Sequence, residues 1–228
     1  MLKSAMTSSV YARVRQKKTW QQHSTCRLVV SVGRPNHEGD KLDATIQWVN
    51  RHFENCIFVL CDVLHRHNYI ADGFSSSEAY AISKHDGDIW LSRNKERINN
   101  LIIPYNIIRW EECLNHPDFS DRLHKITGFC SQNSAFQRSI REDIDRFIRT
   151  QKKTRSLSFT EEKQIGINGK ALLLEEVAGC SLLVEQDLAV DIYPGSEIKA
   201  VKLFREKDLP PILPILKKRA FARMDFSH

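Results

Sequence analysis

The chain has 228 residues, 41% hydrophobic and 27% charged, with a formal net charge of +6. That is enough for one well-buried α/β domain and little for two. No apolar run approaches the roughly 18 residues that a membrane-spanning helix needs, which excludes a helical membrane protein.

No Asp or Glu precedes Glu38, whereas Lys3, Arg13, Arg15, Lys17, Lys18, Arg27 and Arg34 do. Residues 1–25 read as a loosely held basic arm. An acid-poor organellar presequence is the alternative, and the apolar stretch of a secretory signal is lacking. Residues 26–228 read as the domain. Within it, Cys26 to Ser31 is a short apolar, β-branched run closed by Gly33 and Pro35, the pattern of a buried strand. Leu42, Ile46, Val49 and Phe53 then recur at helical spacing, and Ile57 to Cys61 is a second buried strand. Continuous apolar strands separated by a helix predict a parallel sheet covered on both faces.

Ser75 with Glu78 forms a capping box, opening a helix to about Asn99 with a possible break at Gly87. Ile107 to Trp110 is a short strand. His116-Pro117-Asp118 opens a polar helical region to about Arg149. Gly169 to about Val184 reads as a helix apolar nearly all round. Val190 to Tyr193 and Glu197 to Phe204 are the last strand candidates, with Pro194-Gly195 between them. The six cysteines (26, 56, 61, 113, 130, 180) show no CxxC spacing and sit among apolar neighbours, the mark of buried thiols in a reducing cytoplasm. No phosphate-binding glycine motif or internal repeat is present. The pattern as a whole is a single Rossmann-like domain with a mostly parallel sheet flanked by helices.

Further basic runs lie at Lys152, Lys153, Arg155 and at Lys217, Lys218, Arg219, Arg223. They fit a phosphate-rich partner through counterion release, although on charge alone a solvated surface is the simpler reading. In doubly wound sheets ligands gather at the carboxyl ends of the strands. Three segments with chemical potential fall there: Ser31 to His37, Asp62 to His67, and Tyr193-Pro194-Gly195. A serine just past a buried strand can serve as an exposed nucleophile, with Gly33 admitting substrate close to the backbone. On pattern alone, a serine that satisfies a turn is the simpler reading. His65-x-His67 has a metal-ligand spacing, but no completing set accompanies it, so no metal site is expected.

The segment from Arg27 to Gly73 resembles the tRNA-dependent cyclodipeptide synthases, relatives of the class I aminoacyl-tRNA synthetase catalytic domain. The matching features are the strand with Ser31-x-Gly33, the helix bearing Trp48 and Phe53, the strand ending at Asp62, and Ile70-Ala71-Asp72-Gly73 before a Ser-rich helix start. Leu172 to Glu176 resembles the family's helix with its functional glutamate, and Tyr193-Pro194 the signature of one branch of the family. In that branch the position three after the serine is variable; here it is Arg34. The resemblance implies a Rossmann-like fold and ping-pong synthesis of a 2,5-diketopiperazine from two aminoacyl-tRNAs. Ser31 would carry the first aminoacyl group, Glu176 bind its ammonium and handle protons, and Tyr193 relay a proton during ring closure. It further implies substrate-binding roles for Val29, Gly33, Val59, Cys61, Gly73 and Pro194, with the small side chains favouring a small or medium first amino acid. Lys84, Arg93, Lys95 and Arg97 would meet the tRNA. No ATP, metal or other cofactor is expected, because the substrate ester is already activated; the synthetase motifs His-x-Gly-His and Lys-Met-Ser-Lys-Ser are missing. Two positions depart from the family: Leu172 stands where a tyrosine is usual, and Val29 where a glycine is. Glu175 beside Glu176 leaves a one-residue shift open. A non-catalytic tRNA-binding relative and a Rossmann-like transferase with a nucleotide cofactor are the competing readings.

Overall fold

The computed structural model describes residues 10–14, 20–206 and 212–227. Lys3, Arg15, Lys17 and Lys18 of the basic arm therefore lie outside the described residues. Six strands form one sheet: β1 (Tyr11–Val14), β2 (Thr25–Val30), β3 (Asn55–Leu60), β4 (Tyr105–Arg109), β5 (Val190–Tyr193) and β6 (Ala220–Ser227). Their order is β1-β6-β5-β2-β3-β4. All neighbouring pairs are parallel except the edge pair β1–β6. The predicted α/β class with a mostly parallel sheet is what the chain adopts.

Side chains alternate between the faces of a strand, and this parity sorts the core. Leu28, Val30, Phe58, Leu60 and Ile192 pack on one face with Ile46 and Val49 of α1 (Gly39–His52) and Trp90 of α3 (Ser76–Ile98). On the other face, Ile57 and Val59 pack with Trp110 of α4 (Trp110–Leu114) and Leu183 of α7 (Phe159–Gln186). A third cluster joins α7 to α5 (Phe119–Gln132), α6 (Ser134–Gln151) and α8 (Lys199–Glu206), through Ile126, Phe136, Leu173, Val177 and Phe204. The short α2 (Arg66–Ala71) links the end of β3 to α3.

Several expectations need correction. Tyr11–Val14, within the arm expected to be loosely held, is a strand registered on Met224–Ser227. Residues 197–204 do not form a strand: Ala200, Val201 and Phe204 are buried at helical spacing on α8. The last strand is β6 instead, which takes in Arg223 of the third basic run. Gly87 does not interrupt α3; it allows close packing, since a Cβ there would lie 2.6 Å from Asp62 Oδ2. The polar region after Pro117 is two helices, because the Asn133 side chain accepts from Phe136 N at 2.9 Å and starts α6 afresh. Finally, α7 begins ten residues earlier than read, at a capping box of Ser158 with Glu161. The capping box of Ser75 with Glu78 is present as expected.

Gly179 of α7 shows how tightly this layer closes: a Cβ there would lie 2.5 Å from Trp110 Cη2. Gly to Ala inside a helix ordinarily gains up to about 1 kcal/mol, but overpacking against a fixed indole costs about 1–3 kcal/mol. Gly179→Ala is expected to lower the urea midpoint; a raised midpoint would mean that Trp110 yields freely.

Candidate active site

Strand parity places Val29, Ser31, Cys61, Tyr193 and Phe221 on the face of the sheet that α7 covers. Here they help to line a cavity of about 610 Å³ at the carboxyl ends of the strands. Ser31 directly follows β2, and its backbone oxygen accepts from Arg34 N at 3.3 Å in a turn where Gly33 takes φ +75°. Its hydroxyl lies half-buried in the cavity wall, 3.2 Å from the Tyr193 hydroxyl. Burial pushes the Tyr193 phenol upward, so it stays protonated at neutral pH, while the hydrogen bond with Ser31 works the other way. The following turn holds the tyrosine ring close: a Cβ on Gly195 would meet Tyr193 Cε1 at 2.5 Å. The carbonyl of Pro194 accepts from Asn36 Nδ2 at 3.3 Å, tying the β5 exit to the segment after Ser31.

From above, α7 lowers Leu172, Leu173 and Glu176 into the cavity. Glu176 is half-buried, and burial raises its pKa to about 7; Asp143 pushes the same way and Arg219 opposes. It can therefore both hold and release a proton near neutral pH. Glu175, the neighbour that a one-residue shift would have substituted, does not line the cavity. It is buried against Arg66, His67 and Trp110.

Behind Tyr193 runs a buried chain of charges that the sequence reading missed. Asp191 accepts from Arg27 Nε at 2.6 Å and from Arg219 Nε at 2.5 Å, and Arg219 Nη1 reaches Glu197 at 2.7 Å. Arg219 lines the cavity wall with Asp143, Arg146 and Glu197. Arg27 is 1% exposed, so neither it nor buried Arg219 is available to solvent phosphate as the basic runs implied. The signal was present: a lone Asp at an inward position of the apolar β5 needs a buried cation.

Of the other expected positions, Cys61 lines the cavity with Val29, whereas Val59 lies fully buried beneath its floor. Gly33 borders two smaller clefts, with Arg34 and His65 on one side and Asp62, His65 and Arg93 on the other. Gly73, at φ +102°, sits between α2 and α3 and lines none of these. On α3, Lys84 pairs with Glu111 at 2.9 Å, Arg93 with Glu38 at 2.5 Å, and Arg97 with Asp43; Lys95 is exposed. His65 lines the cavity, while His67 bonds Glu175 at 3.1 Å, so the pair does not converge. Burial first, then nearby charges, lower His65 to about 4 and His37 to about 3, so both stay neutral. Among the described residues no group of three or more His, Cys, Asp or Glu could hold a metal ion.

The parallel sheet thus presents a serine and a tyrosine at its carboxyl edge, beneath a helix carrying a glutamate, and a class of proteins with this fold has been solved under the description of cyclodipeptide synthases. Solved structures similar to the chain are members of that class. A cyclodipeptide synthase from Fluoribacter dumoffii is 28% identical, with a TM-score of 0.85, over 96% of this chain and 99% of that one. The synthase from Candidatus Glomeribacter gigasporarum, solved bound to Phe-tRNAPhe, is 18% identical with a TM-score of 0.69, over 95% and 94%. A Mycobacterium tuberculosis protein, whose structure was described as relating cyclodipeptide synthetases to type I tRNA synthetases, is 14% identical with a TM-score of 0.65, over 96% and 94%. No protein-family model matches the chain, and no curated sequence does.

Proposed function

We propose that the chain is a cyclodipeptide synthase, joining the aminoacyl groups of two aminoacyl-tRNAs into a 2,5-diketopiperazine by a ping-pong route through an aminoacyl ester on Ser31. The observation that carries this is the Ser31 hydroxyl, 3.2 Å from that of Tyr193, in the wall of a cavity of about 610 Å³ that also holds Glu176. The likeness to the Fluoribacter dumoffii structure across nearly the whole of both chains supports it.

The chemistry follows from the groups present. Ser31 Oγ attacks the ester carbonyl of the first aminoacyl-tRNA; the bond to the terminal ribose breaks, and the ribose oxygen leaves with the serine proton. One oxygen ester replaces another, so no ATP, metal or other cofactor is called for. Glu176, as carboxylate, holds the α-ammonium of the bound aminoacyl group and takes its proton. The freed amine attacks the ester carbonyl of the second aminoacyl-tRNA; the bond to that ribose breaks, its oxygen leaves with the amine's proton, and a dipeptidyl ester remains on Ser31. The new terminal amine then attacks that ester, closes the ring and returns the oxygen to Ser31, with Tyr193 relaying a proton to it. Ring closure needs a cis peptide, which costs about 2.5–4 kcal/mol away from proline; confinement between the sheet and α7 offsets it. Tyr193-Pro194 fits the Tyr-Pro branch of the family, with Arg34 at its variable position.

Val29 and Cys61 give the floor beside Ser31 a small, apolar character, which suits a small or medium first amino acid. Leu172 puts an apolar side chain in the cavity where the family usually has a tyrosine. Among the described residues no helix is long and apolar enough to cross a membrane, and all six cysteines are free and buried; the reducing cytoplasm, where charged tRNA is made, is the proposed site of action. Lys84, Arg93 and Arg97 would have to exchange Glu111, Glu38 and Asp43 for RNA phosphates if α3 meets the tRNA, so the interaction is expected to weaken steeply with salt.

The test is direct: purified protein incubated with a full set of aminoacyl-tRNAs should release a diketopiperazine detectable by mass spectrometry, and ribonuclease should abolish it. No product, with tRNA binding intact, would favour a non-catalytic relative. Product formation unaffected by ribonuclease would overturn the substrate assignment.

A further inference from the structure

Glu175 takes no part in the proposed chemistry, yet it is the most fully bonded carboxylate near the site. Its Oε1 accepts from Arg66 Nη1 at 2.7 Å and from Trp110 Nε1 at 2.9 Å. Its Oε2 meets Arg66 Nη2 at 2.5 Å and His67 Nε2 at 3.1 Å. A carboxylate offers about four acceptor sites, so this one is saturated. The side chain is only 4% exposed. Although burial works against the charge, the bonds from His67 and Arg66 hold its pKa below the ordinary value. The donors belong to α2 and α4, two elements packed against α7, and none of the three donor residues lines the cavity.

We infer that Glu175 is a positioning residue for Glu176: it clamps α7 to α2 and α4 and thereby fixes which face of α7 looks into the cavity. Successive residues on an α-helix are roughly 100° apart. Locking Glu175 against Arg66 and Trp110 therefore turns Glu176, with Leu172 one turn before it, toward Ser31 and Tyr193. Gly179, one turn after Glu175, lies against the same indole, so the clamped face is continuous. An apolar residue at position 175 would avoid the cost of burying a charge, but it would supply none of the four directional bonds that set the roll of the helix. The inference rests on the proton-handling role given to Glu176, and its test keeps the two apart.

The measurement is the titration of Glu176 itself, by carbon NMR of protein labelled at the glutamate carboxyl, with its signal assigned by loss in Glu176→Gln. Wild-type protein should titrate near about 7. The groups facing Glu176 are Asp143 from α6, Arg219 at the start of β6, Cys61 after β3, Tyr193 from β5 and Cys180 on α7 itself. None is altered by the variants. Glu175→Gln strands the Arg66 guanidinium and can unfold the protein, so the deciding variant is Glu175→Gln with Arg66→Met, which removes both charges together. In that folded double variant, the Glu176 midpoint should fall by about one unit or more toward the ordinary 4.5, as its carboxyl gains water. Turnover should fall about tenfold with KM nearly unchanged, as expected when a reacting group is misplaced rather than removed. A folded double variant whose Glu176 titrates where the wild type does would overturn the clamp. A displaced midpoint with unchanged turnover would uphold the clamp and sink the role of Glu176 instead.

Discussion

Ser31→Ala is expected to abolish diketopiperazine formation, by about a thousandfold or more, as removal of a covalent nucleophile does. Folding should be nearly untouched. The hydroxyl makes one side-chain hydrogen bond, to Tyr193, and such a bond is worth about 0.5–1.5 kcal/mol net. Affinity for tRNA should also persist, since phosphate contacts dominate it and Ser31 supplies none. Filter binding, thermal melting and mass spectrometry of the product separate these three effects. Substantial product from the alanine variant would place the nucleophile elsewhere.

Glu176→Gln is the second large effect, and it has a signature in pH. Because the carboxyl titrates at about 7 in the cavity, wild-type turnover should rise between pH 6 and 8 as the base form accumulates. The glutamine variant should lose about a hundredfold or more of turnover, in line with general-base contributions, and with it this acid limb. Stability moves in the opposite direction. The folded value lies above the ordinary 4.5, so the contribution of Glu176 to stability is full below about 4.5. It is lost as pH climbs through about 7, where the folded protein must ionise a half-buried acid. At pH 8 the variant should therefore melt no lower than wild type, and higher if Arg219 offsets little of the penalty. A residue whose replacement spares stability but removes activity is held for function. If pH 8 melting fell sharply while turnover persisted, Glu176 would be structural.

The part of this architecture legible in the sequence is the part encoded locally. β2 and β3 announce themselves as apolar, β-branched runs, and Ser75 with Glu78 marks the start of α3 because both halves of a capping box lie within one turn. What stayed hidden depends on distant partners. β1 and β6 are an edge pair joined across more than two hundred residues, and the charges in Arg-Ala-Phe-Ala-Arg-Met-Asp mask the alternation of β6. Residues 197–204 carry apolar positions that fit a strand or a helix at that length, and only packing of Ala200, Val201 and Phe204 against α6 and α7 decides for the helix. Arg27 and Arg219 looked like members of solvent-facing basic runs. Their place beside Asp191 became visible only once β2, β5 and β6 were adjacent. Glu175 and Glu176 could not be told apart by pattern, because this stretch of α7 is apolar nearly all round; the bonds of Glu175 to Arg66 and Trp110, and the place of Glu176 in the cavity lining, tell them apart.

In the proposed reaction the Ser31 oxygen takes an acyl group from RNA. Incubating the protein with a single radiolabelled aminoacyl-tRNA, quenching in acid and mapping the peptides tests it most directly. A labelled, base-labile ester is expected on the peptide containing Ser31 and is expected to be absent from Ser31→Ala. Label on another residue, or none while cyclic dipeptide accumulates, would contradict it.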